Sequence, residues 1–220
     1  MDKANIGISR AHGRLRGGPG RGGEKMARTA VRAMEVYTDP PIARILFSST
    51  RLSWLWAGVR IWLGWQWIQA GLHKVGVEAW TGNGFALKGF WERAIQTPAP
   101  PARPPIAFDW YRSFIQFLLD TQSYTWFAKF VAYGEVALGI TLVVGAFVGI
   151  AAFFGAFMNW NFMMAGTAST NPLLFTLAIL LILSWKVAGH YGADRFLLPI
   201  LGTPWKPGRA FDGRTAAESS

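Results

Sequence analysis

The hydrophobic residues of this 220-residue chain are concentrated in four long runs, at about 52–72, 126–148, 149–168 and 173–190. Each run is close to the roughly 20 residues that a helix needs to cross a ~30 Å hydrocarbon core. None of the runs contains an internal proline, and a segment in lipid must satisfy its own backbone hydrogen bonds, so each run predicts a helix. The pattern therefore predicts an all-α integral membrane protein, with a four-helix bundle over 51–191.

The polar segments beyond these runs predict the topology. Ten of the 22 Lys and Arg residues precede the first run, four follow residue 191, and the loop 170–172 has none. By the positive-inside rule, both termini are predicted to be cytoplasmic in a multi-pass protein of the cell membrane. Residues 1–50 are expected to form a basic, partly disordered cytoplasmic tail with a surface helix over 28–36. Residues 192–220 are expected to form a second cytoplasmic tail.

The segment 75–124 between the first and second runs is then predicted to lie outside the membrane. Its proline-rich stretch 98–105 favours an extended backbone without helix. Residues 108–120 alternate polar and apolar side chains at helical spacing, which predicts an amphipathic helix on the membrane surface or as a lid over the bundle. The residues expected to share its apolar face are Trp110, Phe114, Phe117 and Leu118.

Composition supports a membrane protein and narrows its chemistry. Only 15% of the residues are charged, against about 25% in soluble domains. The chain has no cysteine, which excludes a thiol redox centre and a cysteine-held zinc or iron–sulfur site. His73 and His190 are predicted at opposite ends of the bundle, ~30 Å apart, so we expect no haem or metal on this chain. The basic, glycine-rich tail is typical of a juxtamembrane segment, and no nucleic-acid partner is expected.

Each of the four runs carries a strongly polar or charged side chain, namely Arg60, Glu135, Asn159 and Lys186. At ~1.5 Å of rise per residue, all four are predicted at similar depth, near the middle of the bilayer. An ionisable group in hydrocarbon is costly and usually faces a partner or a functional cavity. Arg60 and Glu135 are therefore predicted to form an ion pair. Small residues on the same helix faces predict close packing around it.

Two interpretations of this polar layer stay open. A buried Arg–Glu pair with asparagine support can simply fix the register of the helices. The same groups can instead form a small pocket for a quinone head group or another polar ligand, with Trp62, Trp65 and Trp67 as its aromatic lining. Asn161 projects from nearly the opposite face of its helix to Asn159. We therefore expect at least one of these asparagines to contact something other than the same core.

Several stretches of the chain resemble the DoxX family of small membrane proteins, most closely its DoxD-type members. They are Arg60-Ile61-Trp62-Leu63-Gly64 with Gly71-Leu72-His73-Lys74, Gly134-Glu135 with Gly139, and the runs 159–172 and 192–199. The run 159–172 is the most specific, because it is similar to N-x-N-F-x-x-A-G-T-x-S-x-N-P. The run 192–199 is similar to the family ending G-x-D-R-x-L-L-P.

DoxD-type proteins are associated with thiosulfate:quinone oxidoreductase. The resemblance therefore implies a quinone-linked membrane subunit that works with a second protein subunit and takes a quinone as its cofactor. Glu135 and Arg60 are then the expected catalytic groups, with Glu135 exchanging protons and Arg60 supplying positive charge toward an anionic donor. The residues expected to bind quinone or substrate are Lys74, Asn159, Asn161, Trp67, His73 and Lys186.

Two other classes of function are compatible with the sequence. The first is a non-catalytic anchor or assembly subunit of a larger membrane redox complex, which the aromatic outer helix and the long basic tail both suit. The second is a small transporter. The transporter is the weakest interpretation, because the four runs lack interrupted half-helices and show no inverted repeat.

Overall fold

The computed structural model describes residues 39–203 and 206–211, and the fold is that of the compact unit that begins at Pro40. Most of the predicted N-terminal tail, including the surface helix over 28–36, lies outside the described residues. The last nine residues, 212–220, also lie outside them. The predicted sides of the membrane for the two termini therefore stay predictions.

The described chain is mostly helical and has almost no strand, which confirms the all-α prediction. The helices are α1 (Pro41–Ser48), α2 (Ser53–Leu72), α3 (Phe85–Ala94), α4 (Asp109–Asp120), α5 (Tyr124–Val144), α6 (Val148–Met164), α7 (Asn171–Leu183), α8 (Trp185–Ala188) and α9 (Asp194–Leu201). Single turns of 3₁₀ and π helix lie at Thr50–Leu52 and Glu78–Gly82. Two short strands, β1 (Gly202–Thr203) and β2 (Lys206–Pro207), pair antiparallel after α9.

Four of these helices correspond to the four hydrophobic runs. Helices α2, α5 and α6 follow the first three runs closely, whereas the fourth run is divided between α7 and α8. Ser184 lies at the break, and its hydroxyl donates to the Leu180 carbonyl at 2.8 Å. The prediction of one continuous helix over 173–190 was therefore wrong. Among the described helices, α5 is the one that is long and apolar enough to cross a membrane by length and composition, while α6 and α7 are shorter apolar helices.

The four long helices share one apolar core, and α2 and α5 meet along a seam of glycines. A Cβ atom at Gly64 would lie 2.8 Å from the Gly139 carbonyl oxygen, and one at Gly139 would lie 2.6 Å from the Gly64 carbonyl oxygen. Only glycine allows the two backbones to approach this closely, as small residues commonly do between membrane helices. The faces that the sequence predicted to pack closely are therefore confirmed for these two helices.

A second apolar cluster joins α3 and α4 to one end of α5 and α6. It includes Leu87 and Trp91 of α3, Tyr111 and Ile115 of α4, and Ala128 of α5. Helix α3 lies inside the segment predicted as an outer loop and was not predicted. The amphipathic helix α4 is confirmed.

The sequence predicted one shared apolar face on α4 but not which face of the helix is buried. Of the four predicted residues only Leu118 is buried. The buried face consists of Tyr111, Ile115 and Leu118, spaced i, i+4, i+7, while Trp110, Phe114 and Phe117 are exposed. The physical reason is that α4 has apolar side chains on two faces, and the Tyr111 hydroxyl fixes its rotation by a hydrogen bond to Asn161.

Candidate functional site

Lys74 and Glu135 form an ion pair between the end of α2 and the middle of α5. The Lys74 ammonium lies 2.5 Å from Glu135 Oε2, with the carboxylate side chain 1% exposed and the lysine side chain 18% exposed. Lys74 Nζ also donates to the Ala70 carbonyl at 3.2 Å and lies 5.3 Å from the ring centroid of Trp80. The pair is therefore enclosed on the side of the carboxylate and accessible from outside on the side of the ammonium.

Close packing of α2 on α5 brings this pair together. A Cβ atom at Gly71 would lie 2.8 Å from the Val136 backbone nitrogen, so the two backbones touch beside the pair. Lys74 follows Gly71 by three residues and lies just past the end of α2, where its long side chain can turn toward α5. Glu135 precedes Val136 on the α5 face toward α2. The glycine at position 71 thus sets the geometry of the ion pair.

Arg60 does not pair with Glu135, and that prediction was wrong. Its guanidinium donates to the carbonyl of Leu142, to the carbonyl of Val143 at 2.9 Å, and to the carbonyl of Tyr191 at 3.1 Å. Leu142 lies seven residues beyond Glu135 on α5, which is about 10 Å along the helix axis. The physical reason is that the last carbonyls of a helix have no partner within it, and a buried guanidinium satisfies several at once.

Asp194 complements Arg60 at the same turn of the fold and was missed by the sequence analysis. Its carboxylate accepts the backbone N–H groups of Phe147 at 2.5 Å and Val148 at 2.9 Å, and so caps the start of α6. The side chain is buried. We call Arg60 and Asp194 the hairpin clasp, because Arg60 binds the end of α5 and Asp194 binds the start of α6. The D-R pair at 194–195 in the family-like ending was the available signal.

Asn159 and Trp67 are buried where α2 meets α6. The Trp67 indole nitrogen would lie 3.2 Å from a Cβ atom at Gly155, one helical turn before Asn159. Among the described residues, neither the Asn159 side-chain amide nor the Trp67 indole N–H has a hydrogen-bond partner. Buried polar groups are usually paired. These two predicted binding residues therefore lie near each other and retain free hydrogen-bonding capacity.

Asn161 faces away from that core, as predicted. Its amide nitrogen donates to the Phe157 carbonyl at 2.8 Å, and its amide oxygen accepts the Tyr111 hydroxyl at 3.1 Å. Burial raises the pKa of Tyr111 to about 12, so this phenol stays a neutral hydrogen-bond donor at physiological pH. The contact connects α6 to the amphipathic helix α4.

The other predicted residues lie at the surface. Lys186 is exposed on α8, so its placement in the buried layer was wrong; the break at Ser184 separates it from the apolar helix α7. His73 ends α2 and is exposed beside Lys74. Trp62 and Trp65 are also exposed, so of the three tryptophans predicted to line a pocket only Trp67 points inward.

The predicted layer therefore divides into two levels. The clasp at the α5–α6 turn is built from Arg60, which the sequence predicted, and Asp194, which it did not. The Lys74–Glu135 pair lies about 10 Å away along α5, and its geometry suits charge attraction and proton exchange better than that of the clasp. No protein-family model, curated protein or solved structure matches this chain.

Proposed function

We propose that this chain is a multi-pass membrane subunit of a quinone-linked oxidoreductase whose electron donor is an anion of the thiosulfate class. The observation that carries the proposal is the Lys74–Glu135 pair, at 2.5 Å with an almost fully buried carboxylate. Such a pair is expensive among apolar helices, and ionisable groups in membrane spans usually mark a functional site. The resemblance to DoxD-type proteins supplies the reaction class.

A membrane location is supported by the outward surfaces of the helices. Helix α5 has the length and composition of a span. Large apolar side chains, such as Phe130, Phe153 and Leu183, are exposed on α5, α6 and α7. A water-soluble monomer rarely exposes a large contiguous apolar surface. In this proposal α2, α5, α6 and α7 are the four spans, and lipid covers these side chains.

The two members of the pair have separate roles in the proposed reaction. Joining two thiosulfate ions through a new S–S bond releases two electrons and no protons, while reduction of a quinone to its quinol takes two electrons and two protons. The positive charge of Lys74, reachable at its exposed end, attracts the anionic donor. Glu135 accepts protons and passes them toward the quinol oxygens. The protons come from solvent, and the second subunit is proposed to hold the donor.

Replacement of Glu135 by glutamine tests the proposal, because it removes the proton-exchanging group and keeps the shape. In the complex purified from its native membrane, we expect Glu135→Gln to fold and to reduce quinone at least ~100-fold more slowly, the loss typical of a missing acid–base group. Glu92→Gln is the matched control, since Glu92 is exposed on α3 and forms a surface ion pair with Lys88 at 3.6 Å. Wild-type turnover in Glu135→Gln would contradict the proposed role.

An anchor or assembly subunit is the second candidate, and one surface favours it. Trp54, Trp62 and Trp65 are all exposed and follow one face of α2 at helical spacing. Aromatic side chains of this kind are enriched in the cores of protein interfaces. If this is the main function, a Trp62→Ala/Trp65→Ala double variant loses a co-purifying subunit, and Glu135→Gln leaves the activity of the complex unchanged.

A further inference from the structure

A long apolar cavity lies between α5 and α6, beneath the amphipathic helix α4. Its volume is about 920 Å³. The α5 residues that line it extend from Phe127 to Thr141, which is about 21 Å along the helix. Several lining aromatics, including Phe130 and Phe154, are exposed on the outer surface. The cavity is therefore open along one side to a molecule dissolved in the membrane.

The polar groups of this cavity are neutral, and most of them lie near its α4 end. Besides the indole N–H groups of the lining tryptophans, they include the Tyr111 hydroxyl and the Asn161 amide, joined at 3.1 Å. The Asn161 amide nitrogen uses one N–H on the Phe157 carbonyl, and a primary amide has a second N–H to donate. Thr141, at the other end, donates to Ala137 of its own helix. No residue in the lining carries a charge.

Aromatic rings surround the same end. The ring of Tyr111 lies 6.3 Å from the ring of Trp160 and 5.5 Å from that of Trp110, measured between centroids. Phe157 stacks on Trp160 with a centroid separation of 6.0 Å. These rings offer flat apolar faces beside a free N–H donor. A planar ring with a carbonyl oxygen fits both features.

We propose that this cavity binds a membrane quinone, with one ring carbonyl accepting the free Asn161 N–H and the isoprenoid tail lying along the groove between α5 and α6. The inference rests on the proposed function and gives it a quinone site. Glu135, which lies on a different face of α5, belongs to the polar pair with Lys74. A phospholipid is disfavoured, because its charged head group would be placed against uncharged walls without a partner.

Gly134 allows the cavity to be filled without disturbing the helix packing. It lies in the cavity wall, and a Cβ atom there would meet nothing within 4 Å. Successive helical residues are ~100° apart, so a side chain at position 134 points away from the Glu135 face. Gly58 on α2 is the matched control: a Cβ atom there also meets nothing within 4 Å, and Gly58 is not part of the cavity lining.

The test is a titration of the purified full-length chain in nanodiscs with a short-tailed ubiquinone, followed by quenching of tryptophan fluorescence. Trp91, Trp110 and Trp160 line the cavity and report on a ring bound there. We expect saturable quenching in the wild type and in Gly58→Phe, and at least ~10-fold weaker binding in Gly134→Phe. Asn161→Ala should weaken binding about 5–10-fold through loss of one hydrogen bond.

Two results would overturn the inference. One is wild-type quinone affinity in Gly134→Phe, which would place the quinone elsewhere. The other is displacement of the quinone by added phosphatidylglycerol in proportion to its amount, which would make the occupant a phospholipid. Turnover in the native complex keeps the two proposals distinguishable. Undiminished quinone turnover in the Gly134→Phe complex refutes this binding site alone. If Gly134→Phe weakens quinone binding but no complex turns over quinone, the proposed oxidoreductase function is refuted and the binding site remains.

Discussion

Replacement of Arg60 by methionine is expected to unfold the α5–α6 turn. Methionine keeps most of the apolar stem and removes the guanidinium. The carbonyls of Leu142, Val143 and Tyr191 then lose their donor, and each hydrogen bond to a charged group contributes about 1.5–3 kcal/mol. Because the bonds share one side chain they are not additive, and removing one partner of a buried charged arrangement costs about 3–5 kcal/mol. We therefore expect a loss of about 3–5 kcal/mol in the free energy of unfolding.

The assay is reversible unfolding in mixed detergent micelles, followed by tryptophan fluorescence. Arg195→Met is the control, because Arg195 is exposed one residue beyond the clasp, and surface substitutions usually change stability by within about 0.5 kcal/mol. A double-mutant cycle with Asp194→Asn should show a coupling of about 0.5–3 kcal/mol, as expected for groups in one network. A loss below about 1 kcal/mol for Arg60→Met, equal to that of Arg195→Met, would refute the clasp.

The remaining predictions concern the ion pair, the glycine seam and Tyr111. Lys74→Met should destabilise the protein by about 3–5 kcal/mol, because it leaves the buried Glu135 carboxylate without a partner. Glu135→Gln should cost less, because it leaves only the partly exposed ammonium unpaired. Equal melting temperatures of the two variants would contradict this. Gly139→Ala should cost about 1–3 kcal/mol or more by overpacking, whereas Gly134→Ala should stabilise α5 by up to ~1 kcal/mol, both measured as unfolding free energies. In a tyrosinate absorbance titration Tyr111 should ionise near pH 12, and Tyr111→Phe should remove that late step. Since its folded pKa is raised, the stability from Tyr111 is fully present below its ordinary pKa of about 10 and is lost as the pH rises toward 12.

The positions of the long helices could be predicted because the signal for them is local. Twenty apolar residues without proline indicate a helix whatever surrounds them, and α2, α5 and α6 follow. The glycine-containing faces of α2 and α5 could also be predicted from the sequence, because residues at helical spacing share a face in any helix. The break after α7 was not predicted. Ser184 lies at this break and its hydroxyl donates to the Leu180 carbonyl, a contact that the continuous apolar run does not reveal.

The partners of the buried charges could not be predicted, because they depend on distances across the fold. A depth counted along a helix carries an error of about one turn, ~5 Å, and Arg60 and Glu135 were predicted at similar depth. Lys74 lies just past the end of α2, and its long, flexible side chain reaches the buried carboxylate of Glu135. The sequence indicated Arg60 as the partner of Glu135, but the Arg60 guanidinium instead donates to the unpaired carbonyls at the end of α5.

The rotation of α4 had the same limitation, since both of its faces carry aromatic residues. The face that carries Tyr111 is the buried one, and the Tyr111 hydroxyl donates to both the backbone carbonyl and the side-chain amide oxygen of Asn161. That contact joins two segments 50 residues apart, which no periodicity in either segment encodes. Asn161 itself was selected correctly as a residue that leaves the core, because its angular distance from Asn159 is a property of one helix.

The hydrogen-bond partners of each buried polar group distinguish residues that hold the fold together from residues that can still bind a ligand. Arg60 and Asp194 form their hydrogen bonds with backbone groups that a helix end leaves unpaired. Their hydrogen-bonding groups are therefore used to hold the α5–α6 turn. Lys74 has an exposed side toward solvent, and Asn161 has one N–H left in an uncharged cavity. A ligand can only compete for bonding capacity that the fold has not already used. The proposed sites at Lys74–Glu135 and at Asn161 retain such capacity, as do Asn159 and Trp67 in the buried core, and none of these residues belongs to the clasp.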